Sequence, residues 1–82
     1  METTCTTHAR IGREILVRQD DGCFLDFRPW SLYQVIDGER IELSEGKGRT
    51  VADAYSQAQQ SMAFHSEYAG APNRIDAWEI AR

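Results

Sequence analysis

The chain has 82 residues, of which 41% are hydrophobic and 27% are charged, and its formal net charge is −4. This length predicts one domain with a thin core, and the composition excludes wholesale disorder. The sequence contains neither an apolar run of about 20 residues nor an apolar signal segment, so we expect a cytoplasmic protein without a membrane partner. The acidic balance makes direct binding to nucleic acid an unfavoured function.

The N-terminal residues 1–11 are rich in threonine and aperiodic, which predicts a flexible tail ahead of a single domain over residues 12–82. Turn residues divide most of the remainder into short strands around one helix. The predicted strands are GREILVRQ, CFLDFR, LYQVI and ERIEL, then RIDAWEIA after the helix. The order ββββαβ predicts an α+β fold, in which a curved antiparallel sheet of four to five strands carries the helix on one face.

The stretch QDDGCFLDFRPW (19–30) predicts the first hairpin. A three-residue turn that ends at Gly22, in the left-handed region, sets a register with Val17 opposite Leu25. This register places five mostly apolar residues on one face of the hairpin, which we assign to the main core: Ile15, Val17, Cys23, Leu25 and Phe27. The opposite face receives Phe24, Asp26 and Arg28. Pro29 cannot donate to a ladder, so the chain is expected to bend or leave the sheet there.

Asp37-Gly38 predicts a second hairpin with a type I′ turn. The register places Leu32 opposite Leu43 and assigns to the core face Leu32, Ile36, Ile41 and Leu43. The outward face then holds Tyr33, Val35, Arg40 and Glu42.

The segment TVADAYSQAQQSMAFHSEYAG predicts a helix with Thr50 as the N-cap and Gly70 as the C-terminal stop. Its apolar stripe comprises Val51, Ala54, Tyr55, Ala58, Met62, His65 and Ala69. The opposite side holds Asp53, Gln57, Gln60, Phe64 and Glu67, and Phe64 there is a candidate contact residue.

The segment SEGKGR (44–49) before the helix is predicted to be a loop. Its glycines could turn backbone N–H groups toward an anion, with positive potential from Lys47 and Arg49. A flexible charged loop without a ligand is the alternative.

No catalytic, cofactor-binding or metal-binding residues are predicted. The sequence lacks a nucleophile elbow and a paired-histidine motif, and its cysteines and histidines match no standard zinc spacing. Cys5 and Cys23 are expected to be reduced thiols.

The sheet face away from the helix is predicted to carry the composition of a protein interface. The candidate partner-binding residues are Phe24, Asp26, Arg28, Tyr33, Arg40 and, on the helix, Phe64. The alternative is that Trp30 or the N-terminal tail covers this face as a second small core.

In size, acidity and general plan, the chain resembles small inhibitors encoded by phages and mobile elements, anti-CRISPR proteins among them. The resemblance implies a non-catalytic interaction module that docks on a larger protein or complex that handles nucleic acid. One alternative is an accessory protein that binds nucleic acid through Lys47 and Arg49, and another is a small accessory subunit of a larger enzyme. A homodimer through the open face or the edge of the last strand is a further alternative.

Overall fold

The computed structural model describes residues 5–69 and 74–81, with helix side chains described as far as His65. The elements are β1 (Cys5–Ile11), β2 (Ile15–Arg18), β3 (Phe24–Ile36), β4 (Glu39–Gly48), α1 (Val51–Ala69) and β5 (Ala77–Ile80). The predicted α+β class and the order ββββαβ are confirmed, although partly different strands fill this order. The five strands form one open sheet, and it is mixed because β1 and β5 are parallel.

Strand β1 lies between β3 and β5, so the predicted tail is wrong for residues 5–11. Thr7, Ala9 and Ile11 alternate with more polar neighbours and are almost completely buried. This period of two is the pattern of a strand with one face in the core. Residues 1–4 of the predicted tail lie outside the described residues.

Strands β1 and β2 follow the same edge of β3 and are separated by a bulge. Ile11 pairs with Trp30 and Ile15 pairs with Phe27, so three residues oppose two on β3. The Gly12 N–H donates to the Pro29 carbonyl at 2.7 Å. The side of Pro29 that lacks an N–H therefore faces the bulge, where little pairing is lost.

The expected bend at Pro29 is consequently wrong. Strand β3 is continuous through Pro29 and has 13 residues in total. Side chains alternate along an unbroken strand. Phe24, Asp26 and Arg28 therefore lie on the same side of β3 as Trp30 and Leu32, which pack in the core with α1.

The apolar face of the first hairpin lies on the other side of β3, with Tyr33. Its assignment to the main core is wrong: Cys23 and Ile15 are exposed, while Val17, Leu25 and Phe27 are only half-buried. The error arose because a break at Pro29 was expected, which would have allowed residues before and after Pro29 to exchange sides of the sheet. In the continuous strand β3 they cannot.

Both turns have the predicted geometry. Gly22, Asp37 and Gly38 have φ values of 87°, 51° and 86°, in the left-handed region. The first register, with Val17 opposite Leu25, is confirmed. The second holds near the turn, but a bulge places Ser44 instead of Leu43 opposite Leu32.

Helix α1 begins at the predicted cap, where Thr50 Oγ1 accepts a hydrogen bond from the Asp53 N–H at 3.1 Å. Ala54, Ala58 and Met62 form the buried centre of the predicted stripe. Gln57, predicted to lie on the polar side, instead accepts a hydrogen bond from Trp30 Nε1 at 2.8 Å. The predicted Gly70 stop lies outside the described residues.

Trp30 is 7% exposed and belongs to the core, so it does not cover the opposite face of the sheet. At the β5 side of the helix, Tyr55 stacks on Trp78 with ring centroids 4.2 Å apart. Trp78 is half-buried and packs against the core.

The first hairpin extends beyond the rest of the sheet. Pairing with β4 ends at Arg28, and pairing of β1 with β5 ends at Ile11. We call residues 15–27 the ribbon, because no third strand pairs with them within the part of the chain that the structure describes. The radius of gyration is 14.3 Å, against about 12 Å for a compact chain of this length.

Candidate interaction surface

The sheet face away from α1 is called the open face. It comprises Thr6, His8, Arg10, Ile15, Val17, Leu25, Phe27, Pro29, Ser31, Tyr33, Val35, Arg40, Glu42, Glu45, Lys47, Ala77 and Glu79. Its ribbon end is apolar, whereas the end over β1 and β4 is aromatic and charged. This division follows from alternation along the paired strands.

A stack of three side chains occupies the centre of the charged end. The rings of His8 and Tyr33 are nearly parallel, with centroids 5.2 Å apart. The Arg40 guanidinium carbon lies 3.8 Å from the centroid of the Tyr33 ring, which is cation–π geometry. Arg40 Nε also donates to Glu42 at 2.7 Å. The aromatic group and the arginine are thus held in place before any partner binds.

The charges on the open face have both signs. Arg10 and Glu79 form a long ion pair of 3.9 Å across β1 and β5. Glu45 and Lys47 lie on β4, at register positions opposite Ser31 and Pro29. A partner would therefore meet alternating charges around an aromatic centre.

The six predicted partner-binding residues do not share one surface. Tyr33 and Arg40 lie together on the open face. Phe24 and Asp26 lie on the helix side of β3, and Phe64 is exposed on α1. Their contact roles remain predictions, but one flat partner surface could not cover all of them.

Arg28 already has an internal hydrogen bond. Its guanidinium donates to the Ala81 carbonyl at 2.7 Å and ties β3 to the residue that follows β5. The Arg28 Nε atom is buried without a partner in the described part of the chain. Arg28 therefore connects β3 to the segment that follows β5.

The ribbon carries large exposed apolar side chains. Leu16 is 68% exposed and Phe24 is 61% exposed. Both lie on the helix side, beyond the end of the sheet that α1 covers.

The predicted anion-binding loop is instead the end of strand β4, so the loop assignment is wrong. A Cβ atom at Gly46 would lie 2.7 Å from the Trp30 ring, and one at Gly48 would overlap the backbone of Ala54. The glycines therefore provide room for packing. Lys47 lies on the open face, while Arg49 Nε donates to the Asp26 carbonyl at 2.9 Å and its guanidinium carbon lies 5.4 Å from the centroid of the Phe27 ring. Anion binding by this pair stays a prediction.

Asp76 holds the start of β5 against β1. Its Oδ2 accepts a hydrogen bond from the Thr7 N–H at 2.8 Å, and its Oδ1 accepts from Arg74 at 3.0 Å. The Thr7 N–H, followed by Arg74, holds the pKa of Asp76 below its usual value, against the opposing effect of desolvation. The charged form of Asp76 therefore stabilises the folded chain.

We expect Asp76→Asn to lower the urea midpoint at neutral pH and to reduce its dependence on acid. Because the folded pKa is lowered, the stabilisation is present above the unfolded pKa of about 4 and is lost as the pH falls through the folded pKa. The two proteins should therefore differ at pH 7 and converge toward pH 3. Asp20→Asn, in the exposed first turn, is the control. A constant difference at every pH would contradict this assignment.

His8 is the residue on this surface that the sequence reasoning missed as a contact candidate. The available signal was the alternation of Thr7, Ala9 and Ile11, which would have placed His8 on a strand beside Tyr33. The alternation of apolar and polar residues was hard to recognise there, because Thr7 and Ala9 are small and only weakly apolar.

Other chemical features are sparse in the described chain. Cys5 and Cys23 are free and exposed. Within residues 5–69 and 74–81, no group of three His, Cys, Asp or Glu side chains could hold a metal ion. No described helix has the length and apolar character needed to cross a membrane. No family model matches the chain, and neither the curated proteins nor the solved structures contain a match to it.

Proposed function

We propose that this chain is a non-catalytic protein-interaction module that docks through the open face. The observation that carries this proposal is the stack of His8, Tyr33 and Arg40, which lies on the sheet face opposite α1 within the described part of the chain. Tyrosine and arginine are enriched among the residues that dominate binding energy at interfaces. Their mutual contacts reduce the conformational entropy that binding would otherwise cost.

The partner that fits this face is a protein surface with both charge signs around an apolar or aromatic pocket. Charges that surround an anchor contribute orientation and specificity more than affinity. Arg10, Arg40 and Lys47 alternate on this face with Glu42, Glu45 and Glu79. A purely anionic ligand such as nucleic acid would meet three carboxylates, which disfavours the accessory role through Lys47 and Arg49.

The narrower form of the proposal is an inhibitor that occupies a basic nucleic-acid groove, in the manner of anti-CRISPR proteins. Its support is the net charge of −4 together with the position of the acidic turns. Asp20 and Asp21 lie at one end of β3, and Asp37 and Glu39 lie at the other. Since β3 spans about 43 Å, the two separated acidic groups could occupy phosphate positions about a dozen base pairs apart along a groove.

We expect Arg40→Ala and Tyr33→Ala each to weaken partner binding about tenfold or more, because each removes part of the proposed anchor. Affinity capture from lysate at low salt would identify a stoichiometric partner, and titration calorimetry would then measure each variant. Phe64→Ala, on the exposed side of α1, is the matched aromatic control. Circular dichroism verifies that each variant is folded.

The outcomes separate the general proposal from its narrower form. Loss of binding in Phe64→Ala with retention in Tyr33→Ala would reject the open face. If the inhibitor form holds, affinity falls steeply with salt and DNA or RNA competes for the partner. Binding that neither salt nor nucleic acid affects would leave an interaction module without that inhibitory role.

A further inference from the structure

Strand β2 has an outer edge that no strand pairs with in the described chain. The Gln19 N–H donates to the Cys23 carbonyl, so the odd-numbered residues of β2 hydrogen bond toward β3. The N–H and C=O groups of Leu16 and Arg18 therefore point outward. An unpaired edge of this kind is a template for another strand.

Two other edges of the sheet are protected. In the ribbon, Arg49 occupies the far edge of β3 by donating to the Asp26 carbonyl. The outer strand β4 is interrupted by the bulge near Leu43 and carries several charged residues. Bulges and charges are the usual means of preventing edge pairing. The β2 edge, with the sequence ILVR, lacks a bulge within the strand and has one charged residue.

We infer that β2 pairs antiparallel with β2 of a second copy of this chain, with the two-fold axis at Leu16. In this register Glu14 lies opposite Arg18 of the second copy, and the same pair recurs by symmetry. Ile15 lies opposite Val17, and Leu16 lies opposite its own equivalent. Each cross-strand pair thus matches an apolar residue with an apolar residue or an acid with a base.

Geometry and charge together select this register. Outward groups belong to even-numbered residues, so only registers that pair even with even positions form the ladder. Sliding toward the turn places Glu14 opposite Asp20, and a further step places Arg18 opposite itself. Sliding the other way places Arg18 opposite Gly12, inside the bulge. The register centred on Leu16 avoids like-charge repulsion and includes only Glu14, the bulge residue next to β2.

The pairing would also give the ribbon two additional neighbouring strands, those of the second copy's ribbon. A two-stranded hairpin is marginally stable in water, whereas four strands form a self-supporting sheet. The open face would gain continuous apolar rows, with Phe27 and Ile15 beside Val17 and Leu25 of the second copy. Three hydrogen-bonded pairs supply roughly six backbone bonds across the axis.

The contact is short, so the dimer should be weak and dependent on concentration. Stable interfaces usually bury more than about 1,000 Å², which short edge strands alone do not supply. We therefore expect dissociation in the micromolar to millimolar range. This inference does not rest on the proposed function, because it concerns the edge of β2 and not the stack around Tyr33.

Sedimentation equilibrium from about 10 μM to 1 mM tests the pairing. The unmodified chain should show a monomer–dimer equilibrium. Arg18→Glu and Glu14→Arg should each raise the dissociation constant about tenfold by creating like-charge pairs, and the double variant should recover to within about threefold. Lys47→Glu, a charge reversal on β4, is the control and should leave the constant unchanged.

A cysteine cross-link tests the register in a Cys5→Ser, Cys23→Ser background. Leu16→Cys places two thiols across the axis with Cα atoms about 5.5 Å apart, which a disulfide can bridge. Val17→Cys does not face its own equivalent and should cross-link much more slowly. A chain that stays monomeric at about 1 mM, a double variant that fails to recover, or equal cross-linking of the two cysteine variants would each overturn the inference.

Discussion

Gly48→Ala should destabilise the domain by about 3 kcal/mol, because the new methyl group has no space. A Cβ atom there would overlap the Ala54 nitrogen and lie 2.8 Å from the Asp53 carbonyl carbon. These are backbone atoms of the first turn of α1, so no rotamer change can relieve the overlap. Urea denaturation followed by circular dichroism measures the loss, which is large against a total of about 4–12 kcal/mol for a domain of this size.

Gly12→Ala is the matched control for this substitution. Its Cβ atom would lie 3.2 Å from Pro29 Cγ, a contact that a small shift of the proline ring can accommodate. We expect a cost below about 1 kcal/mol. Equal midpoints for Gly48→Ala and the unmodified chain would contradict the close approach of α1 to β4.

Trp30→Ala should cost about 3–5 kcal/mol, the usual range for removing a buried tryptophan. The indole lies between Gly46 and α1, and its Nε1 donates to Gln57. Truncation therefore leaves a cavity and deprives the Gln57 side chain of its donor. The free energy of unfolding from urea titration measures the effect.

Trp30→Phe separates the two contributions to this loss. It retains most of the ring volume but removes the donor, so we expect a cost of about 1–2 kcal/mol. A double-mutant cycle with Gln57→Ala isolates the hydrogen bond as a coupling energy of about 1 kcal/mol. A stability loss in Trp30→Ala no larger than that in Trp30→Phe would show that the indole is not a core residue.

The features that local chemistry determines were predictable from the sequence. Gly22 and Asp37-Gly38 specify turns because few residues adopt a positive φ, and the turns fix the registers beside them. Thr50 specifies the helix start through its own hydroxyl group. These predictions needed only a few neighbouring residues.

The errors have long-range causes. Pro29 remains in β3 because its missing donor faces a bulge on another strand. Gly46 and Gly48 resemble loop residues until the Trp30 ring and the α1 backbone are placed against them. A single sequence does not show that the bulge lies beside Pro29, or that Trp30 and α1 pack against these glycines.

The error at Pro29 displaced more of the predicted contact residues than any other error. Placing a break at Pro29 moved Phe24, Asp26 and Arg28 to the face of Tyr33, whereas the continuous strand places them opposite it. Alternation propagates such an error through every later residue of the strand. Tyr33 and Arg40 stayed together because their positions follow from the nearby type I′ turn.

The pairing of β1 with β5 also has a consequence for the order in which the domain assembles. The hydrogen bond between Thr7 and Asp76 joins residues 69 positions apart, whereas each hairpin closes over a few residues. Closing such a separation in an unfolded chain costs on the order of 4 kcal/mol of entropy, and much less once intervening hairpins have shortened the free path. Folding should therefore proceed outward from the two turns, with β5 joining late and opening first.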